Sequence, residues 1–182
     1  ILVAEGTYIP HANDRTASFI PGANNIVLYG GFNGTETELD QRNWQENKTI
    51  LSGDLNANDN ANLALNEVTR AENSTTVVDL DNTENITIDG FTISGGHANN
   101  TSVVKYRRGA AIFAENALNT TLRNNIFEDN VNETSASVRF SQSVTTHHKI
   151  ESCIFRRNTS TYASALSVIS SGIFIAVDVD VV

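Results

Sequence analysis

Three segments of the chain align without gaps over nine positions: Ile88-Asp89-Gly90-Phe91-Thr92-Ile93-Ser94-Gly95-Gly96, Leu122-Arg123-Asn124-Asn125-Ile126-Phe127-Glu128-Asp129-Asn130 and Ile150-Glu151-Ser152-Cys153-Ile154-Phe155-Arg156-Arg157-Asn158. The first position is always aliphatic, the third small or amide, the sixth Ile or Phe, and the ninth Gly or Asn. A second series runs between them: Gly109-Ala110-Ala111-Ile112-Phe113, Ala136-Ser137-Val138 and Ala163-Ser164-Ala165-Leu166. In it Ile112, Val138 and Leu166 follow one another at 26 and 28 residues. A period in the high twenties suits one turn of a parallel β-solenoid with a loop or two, because successive coils stack in register about 4.8 Å apart. A β-sandwich gives three segments no reason to share a register. Like side chains should then form vertical files, Phe127 on Phe155 and Leu122 on Ile150, with Asn130 and Asn158 recurring at one position. The recurrent Asn is expected in turns, where a left-handed residue is needed and stacked amides bond one another along the axis.

Composition agrees. Of 182 residues only 18% are charged, and repeated like charges would repel their own copies in a stack. Short apolar runs alternate with Asn/Gly/Ser/Thr clusters, the pattern of many short strands and tight turns. Helix-like content is confined to Ala61 to Glu72, and residues 55–74 read as a polar loop excursion. The expectation is one all-β domain over 1–182, a right-handed parallel β-helix of pectin-lyase-like architecture, with long loops in its N-terminal third. A net charge of −9 argues against nucleic acid, and no apolar run is long enough to span a bilayer. The one cysteine, Cys153, excludes an internal disulfide. It falls at the inward position held by Phe91 and Asn125, and reads as a buried, inert thiol.

Phe127-Glu128-Asp129-Asn130 and Phe155-Arg156-Arg157-Asn158 resemble the FxxN half of the repeat in chlamydial polymorphic outer-membrane proteins, and Gly109-Ala110-Ala111-Ile112 resembles its GGAI half. The N-terminal third is similar to secreted right-handed β-helix proteins of Bacteroidota, many of them carrying a type IX secretion sorting tail. The matching stretches are Val3-Ala4-Glu5-Gly6-Thr7-Tyr8, Arg15-Thr16-Ala17-Ser18-Phe19, Leu28-Tyr29-Gly30-Gly31-Phe32-Asn33-Gly34-Thr35-Glu36-Thr37, Gln41-Arg42-Asn43-Trp44 and Thr49-Ile50-Leu51-Ser52-Gly53-Asp54. The chain departs from the pattern where Ala110, Ser137 and Ser164 stand in place of Gly. The resemblance implies the fold and a secreted or cell-surface setting. It does not imply an activity, because this architecture hosts lyases, hydrolases, adhesins and passive stalks.

Candidate chemistry is sparse. The motifs of pectin hydrolases are missing, Gly96-His97-Ala98 being the nearest approach. A Ca²⁺-dependent lyase of acidic glycans could be assembled from Asp79, Asp81 and Asp89 with Arg107 or Arg108 as base; Asp79 and Asp81 would share a face of one strand, flanking an inward Leu80. Asp54, Asn56 and Asn58 match the first half of an EF-hand-type loop and are candidate ligands of a structural Ca²⁺, although Asp59 replaces the Gly at the sixth position. His147-His148 reads as a turn whose side chains diverge. Lys105, Arg107 and Arg108 form the only basic cluster. Asn-x-Ser/Thr triplets start at Asn33, Asn47, Asn73, Asn85, Asn99, Asn100, Asn119, Asn132 and Asn158, and the bacterial resemblance argues against their glycosylation.

Residues 176–181 alternate strictly, as a one-sided strand would, and read as a last rung or an edge. Ile1-Leu2-Val3 begins as a strand, without Met, so the sequence reads as a piece of a longer chain. Uncapped ends predict that further rungs, a neighbouring domain or another subunit cover them. The function expected is that of a non-enzymatic extracellular structural or adhesive module, binding glycan or a partner protein through its polar faces. The lyase is the alternative.

Overall fold

The computed structural model describes residues 1–99, 103, 108–141, 146–169 and 173–182. The chain winds through successive coils. The first holds β1 (Leu2–Ala4) and β2 (Gly6–Tyr8), and the second β3 (Val27–Phe32), β4 (Thr49–Ser52) and β5 (Val78–Asp79). The third holds β6 (Thr87–Asp89), β7 (Phe91–Ser94), β8 (His97–Ala98) and β9 (Ile112–Glu115). Then come β10 (Thr121–Arg123), β11 (Ile126–Glu128), β12 (Val131–Asn132) and β13 (Val138–Ser141), followed by β14 (His147–Glu151), β15 (Ile154–Arg156), β16 (Thr159–Ser160) and β17 (Leu166–Ile169). The last described coil holds β18 (Ile173–Val177) and β19 (Asp180–Val181).

Every pairing is parallel and joins equivalent strands of neighbouring coils. Four sheets result: β1-β3-β6-β10-β14-β18, β2-β4-β7-β11-β15-β19, β8-β12-β16 and β5-β9-β13-β17. This is a right-handed parallel β-helix, the hand that crossovers between parallel strands adopt. The aligned repeats meet in the expected register, Ile88 with Leu122 and Ile150, and Ile93 with Phe127 and Phe155. Phe127 and Phe155 stack with ring centroids 4.7 Å apart. Val138 pairs with both Ile112 and Leu166. The core is the column of inward side chains, with Leu80, Ile86, Ile88, Ile93, Leu122, Phe127, Phe140 and Ile150 all fully buried.

Corners need left-handed residues, and within the nine-residue repeat the chain supplies them at two positions. Between the first two sheets they are Gly90, Asn124, Ser152 and Asp178; at the next corner they are Gly95, Asp129 and Arg157. The recurrent Asn of the ninth position is therefore not the left-handed residue, which is the one before it. Asn130 and Asn158 point inward and bind the backbone of the coil beneath. Asn130 Oδ1 accepts from Gly96 N (2.9 Å) and Nδ2 donates to the Ile93 carbonyl (3.0 Å). Asn158 repeats this one coil on, with Asn130 N (3.1 Å) and the Phe127 carbonyl (2.8 Å), and Asn130 Nδ2 also donates to Asn158 Oδ1 (3.0 Å). Each amide satisfies main-chain groups that a tight corner strips of sheet partners.

Two local expectations are corrected. His147 and His148 lie in β14, with His148 buried against Phe140 at a ring separation of 4.2 Å. Residues 176–181 are not one strand but a corner joining β18 to β19 at Asp178 (φ 51°). The turn reverses the alternation, so Val177 faces out while Val179 packs on the core.

Long insertions leave the stack at both ends of β4. In residues 33–48, Arg42 and Trp44 fold back on glycines of the stack: a Cβ at Gly31 would lie 2.6 Å from Trp44 Cα, and one at Gly90 2.7 Å from an Arg42 guanidinium nitrogen. Residues 55–74 carry no strand and a single 3₁₀ turn at Val68–Arg70. The end faces expose Ile1, Leu2 and Ile20 on one side and Ile173, Ile175 and Val181 on the other. An apolar cavity of about 280 Å³ opens on the first of these, lined by Ile1, Val3, Phe19, Ile26 and Leu28 among others. Among the described residues no helix is long and apolar enough to cross a membrane.

Candidate functional site

The outward face of the second sheet presents two files. One runs Thr7, Ile50, Thr92, Ile126, Ile154, and the other Ser52, Ser94, Glu128, Arg156. Alternation dictates this: Leu51, Ile93, Phe127 and Phe155 point into the core, so their neighbours point out. Residues 55–74 rise beside the second file as a strap, and a cleft of about 450 Å³ lies between them. Ser52, Ser94 and Gly95 line it together with Asp54, Asp59, Arg70, Asp129 and Arg157.

Arg70 anchors the strap. Its guanidinium, almost wholly buried, donates to the main-chain carbonyls of Asp129 (2.9 Å), Asn62 (3.1 Å) and Asn60 (3.4 Å), and pairs with Asp59 Oδ2 at 3.1 Å. Asn73 also donates to Asp59 Oδ2 (2.9 Å). Burial nonetheless pushes the Asp59 carboxyl up to about 6, against the opposing pull of Asn73 and Arg70. His97 lies beneath the strap with its ring nitrogens 2.6 and 3.0 Å from the carbonyl oxygens of Arg70 and Leu65. Burial holds its basicity below the ordinary histidine range, against the opposing pull of the two carbonyls. Arg15 completes the anchorage from residues 9–26, reaching the carbonyls of Asn73 (3.1 Å) and His97 (3.1 Å). On the opposite wall Arg157 grips Asp129 through two bonds of 2.8 and 2.7 Å and reaches Glu128 at 3.2 Å. These contacts raise its pKa, the hydrogen bond to Asp129 foremost.

The carboxylates expected to form a lyase centre are dispersed. Asp79 ends β5 in the fourth sheet, where its Oδ1 accepts from Asp81 N (3.0 Å). Asp89 is in the first sheet, fully buried, bound by Arg42 (2.7 Å), Arg123 (2.8 Å) and Asn124 (2.8 Å). Arg108 is half-buried ahead of β9, and Arg107 and Lys105 lie outside the described residues. Of the candidate calcium ligands, Asp54 uses its oxygens to accept the backbone N–H groups of Asn58 (3.2 Å) and Asp59 (3.0 Å), closing the base of the strap. The Asn58 amide, turned to face acceptors, donates to the Thr69 carbonyl (3.1 Å) and to Glu72 (2.6 Å). Asn56 is exposed beside Arg15 and Glu72. Among the described residues no three His, Cys, Asp or Glu side chains gather as a metal-binding group. Cys153 is buried and its thiol is pushed up to about 11, chiefly by that burial.

Sequence reasoning gave no site role to Asp59, Arg70, His97 or the Asp129–Arg157 pair. The last had a signal, since both occupy the eighth repeat position with opposite charges. The strap residues had none, because their contacts are set by how the strap folds on itself and onto the neighbouring coils, which no repeat spacing encodes. Neither a family model nor a curated protein nor a solved structure matches the chain.

Proposed function

We propose that the chain is a non-enzymatic, extracellular structural and adhesive β-helix module that binds glycan in the trough over its second sheet. The observation that carries this reading is the trough itself: a file with half-buried Ile50, Ile126 and Ile154 runs beside Ser52 and Ser94, and these two hydroxyls line the cleft that the strap and the carboxylates of Asp54, Asp59 and Asp129 wall. A sugar ring has that same division, an apolar C–H face and a hydroxyl rim, and polar groups placed few and convergent beside apolar surface are what a ligand site offers. The guanidinium groups of Arg70, Arg156 and Arg157 are already engaged by carboxylates and carbonyls, which weakens their pull on a uronate and favours neutral glycans. The secreted or surface setting rests on the resemblance of the N-terminal third and the FxxN segments to secreted β-helix proteins.

The test is calorimetric titration with neutral and uronic oligosaccharides, using the native chain and Ser94→Trp. The indole fills the cleft, so an affinity loss of about tenfold or more is expected for a neutral ligand, about 1.4 kcal/mol. Binding that Ser94→Trp leaves intact, or no binding by any glycan, overturns the assignment. Appearance of unsaturated, ultraviolet-absorbing product from polygalacturonate or alginate with Ca²⁺ would establish the lyase instead.

A further inference from the structure

Residues 33–48 begin with Asn33-Gly34-Thr35-Glu36, and the first three are exposed. Glu36 folds back on this turn. Its Oε1 accepts the N–H of Asn33 at 2.7 Å, and its Oε2 accepts those of Gly34 (3.0 Å) and Thr35 (3.1 Å). The side-chain carbonyl of Asn33 in turn accepts the N–H of Thr35 (2.9 Å) and its hydroxyl (2.6 Å). Gly34 has φ of 91°, and a Cβ built on it would meet nothing within 4 Å. No side chain at position 34 therefore crowds the approach of the Gly34 nitrogen to Asn33 Cγ, and the one group that holds that nitrogen is Glu36.

We propose that Asn33 is a modification site, converted to aspartate and isoaspartate by its own loop, with Glu36 as the base and Thr35 as the oxyanion donor. The nucleophile is the Gly34 nitrogen. Its proton passes to Glu36 Oε2, which already holds it within the reach a general base requires. The nitrogen forms a bond to Asn33 Cγ, and the negative charge that develops on Oδ1 falls between the two Thr35 donors. Glu36 then returns the proton to the leaving Nδ2. The Cγ–Nδ2 bond breaks, ammonia departs and a five-membered succinimide remains. Water adds to either carbonyl of that ring and opens it to an aspartyl or isoaspartyl residue. Nothing is oxidised or reduced, and water is the sole co-reactant. Hydrogen bonds from the Asn33 backbone foremost, joined by those of Gly34 and Thr35, keep Glu36 below the usual carboxylate range and favour its ionised, accepting form. Each event adds one negative charge, and the isoaspartyl product also lengthens the backbone of the loop that carries Arg42.

The experiment follows position 33 by peptide mapping during incubation of the full chain at mildly alkaline pH, with isoaspartate-specific methylation to separate the two products. A synthetic peptide of residues 30–41 gives the unassisted rate. Conversion in the folded chain is expected to exceed the peptide by about tenfold or more, a modest share of what general-base assistance supplies. Glu36→Gln and Thr35→Val, each checked for an unchanged melting temperature, should both slow it, and the peptide carrying either change should keep the parent peptide's rate. A folded-chain rate at or below the peptide's, or a rate that neither substitution alters, overturns the proposal.

Discussion

Asn130 shows how much one side chain can carry in a coil stack. Its amide closes the corner beneath it and donates to Asn158 Oδ1 from the corner above, and it is wholly buried. Leaving such groups unpaired costs about 1–3 kcal/mol each. At the equivalent inward position of the preceding corner, Asn125 accepts from Phe91 N (2.9 Å) and donates to the Ile88 carbonyl (2.8 Å), whereas Cys153 offers only a thiol 3.6 Å from the Leu122 carbonyl. His148 brings in pH. Burial lowers its pKa from 6.5 to about 4, and its Nδ1 accepts from Thr120 N (3.2 Å). The unfolded chain takes up this proton below 6.5 while the folded chain refuses it until about 4, so stability is full above 6.5 and falls as pH drops through that window. The loss amounts to up to about 3 kcal/mol. Asp59 acts in the opposite sense between 3.8 and about 6, since the fold favours its protonated form. Denaturant titrations across this range should show a shallower acid loss in His148→Gln than in the native chain. Equal slopes would remove His148 from the acid response.

At the scale of elements, the insertion 33–48 is held by Arg42. Its guanidinium bonds the carbonyls of Gly30 (3.1 Å) and Asp89 (3.2 Å), pairs with the buried Asp89 carboxylate, and lies 5.1 Å over the Tyr29 ring. Removing it leaves Asp89 to Arg123 and Asn124 alone, so Arg42→Leu should cost up to about 3 kcal/mol. In a double-mutant cycle with Asp89→Asn, the loss on changing Arg42 should shrink, because the stranded charge is gone. A cycle showing strict additivity would place the clip elsewhere. The repeat made the strands legible because ladders of like side chains leave a periodic trace: Leu122 over Ile150 and Phe127 over Phe155 could be read before any coordinates. The insertions leave no such trace. Arg42 finds Asp89, and Arg70 finds Asp59 and the Asp129 carbonyl, through contacts that no spacing encodes. The corner Asn82-Thr83-Glu84-Asn85, repeated as Asn116-Ala117-Leu118-Asn119, also went unread, although all four Asn residues are left-handed and Asn119 bonds Asn85 at 3.1 Å. The alternation of 176–181 misled because an Asp in the left-handed region resets the period without changing the spelling of the sequence.

For the whole molecule, the stack gives stability by addition and leaves its ends to be dealt with. The edge strand β18 presents Ile173, Ile175 and Val177 outward with no Pro or charged residue within it. The opposite face opens the apolar cavity around Phe19 and Leu28. Such edges are templates for pairing. The 182-residue chain should therefore associate with rising concentration in light scattering, and Ile173→Lys combined with Ile175→Lys should reduce it; a monomer that the substitutions leave unchanged contradicts this. The charged files bear on how such a protein can lengthen. Asp89, Arg123 and Glu151 stand one above another with alternating sign, and Glu128 faces Arg156 as Asp129 faces Arg157. Tandem copying of a single coil would set a plus against a plus or a minus against a minus, whereas copying two together preserves the alternation. A coil added singly at these files would need a compensating change of sign to keep each charge opposite its partner.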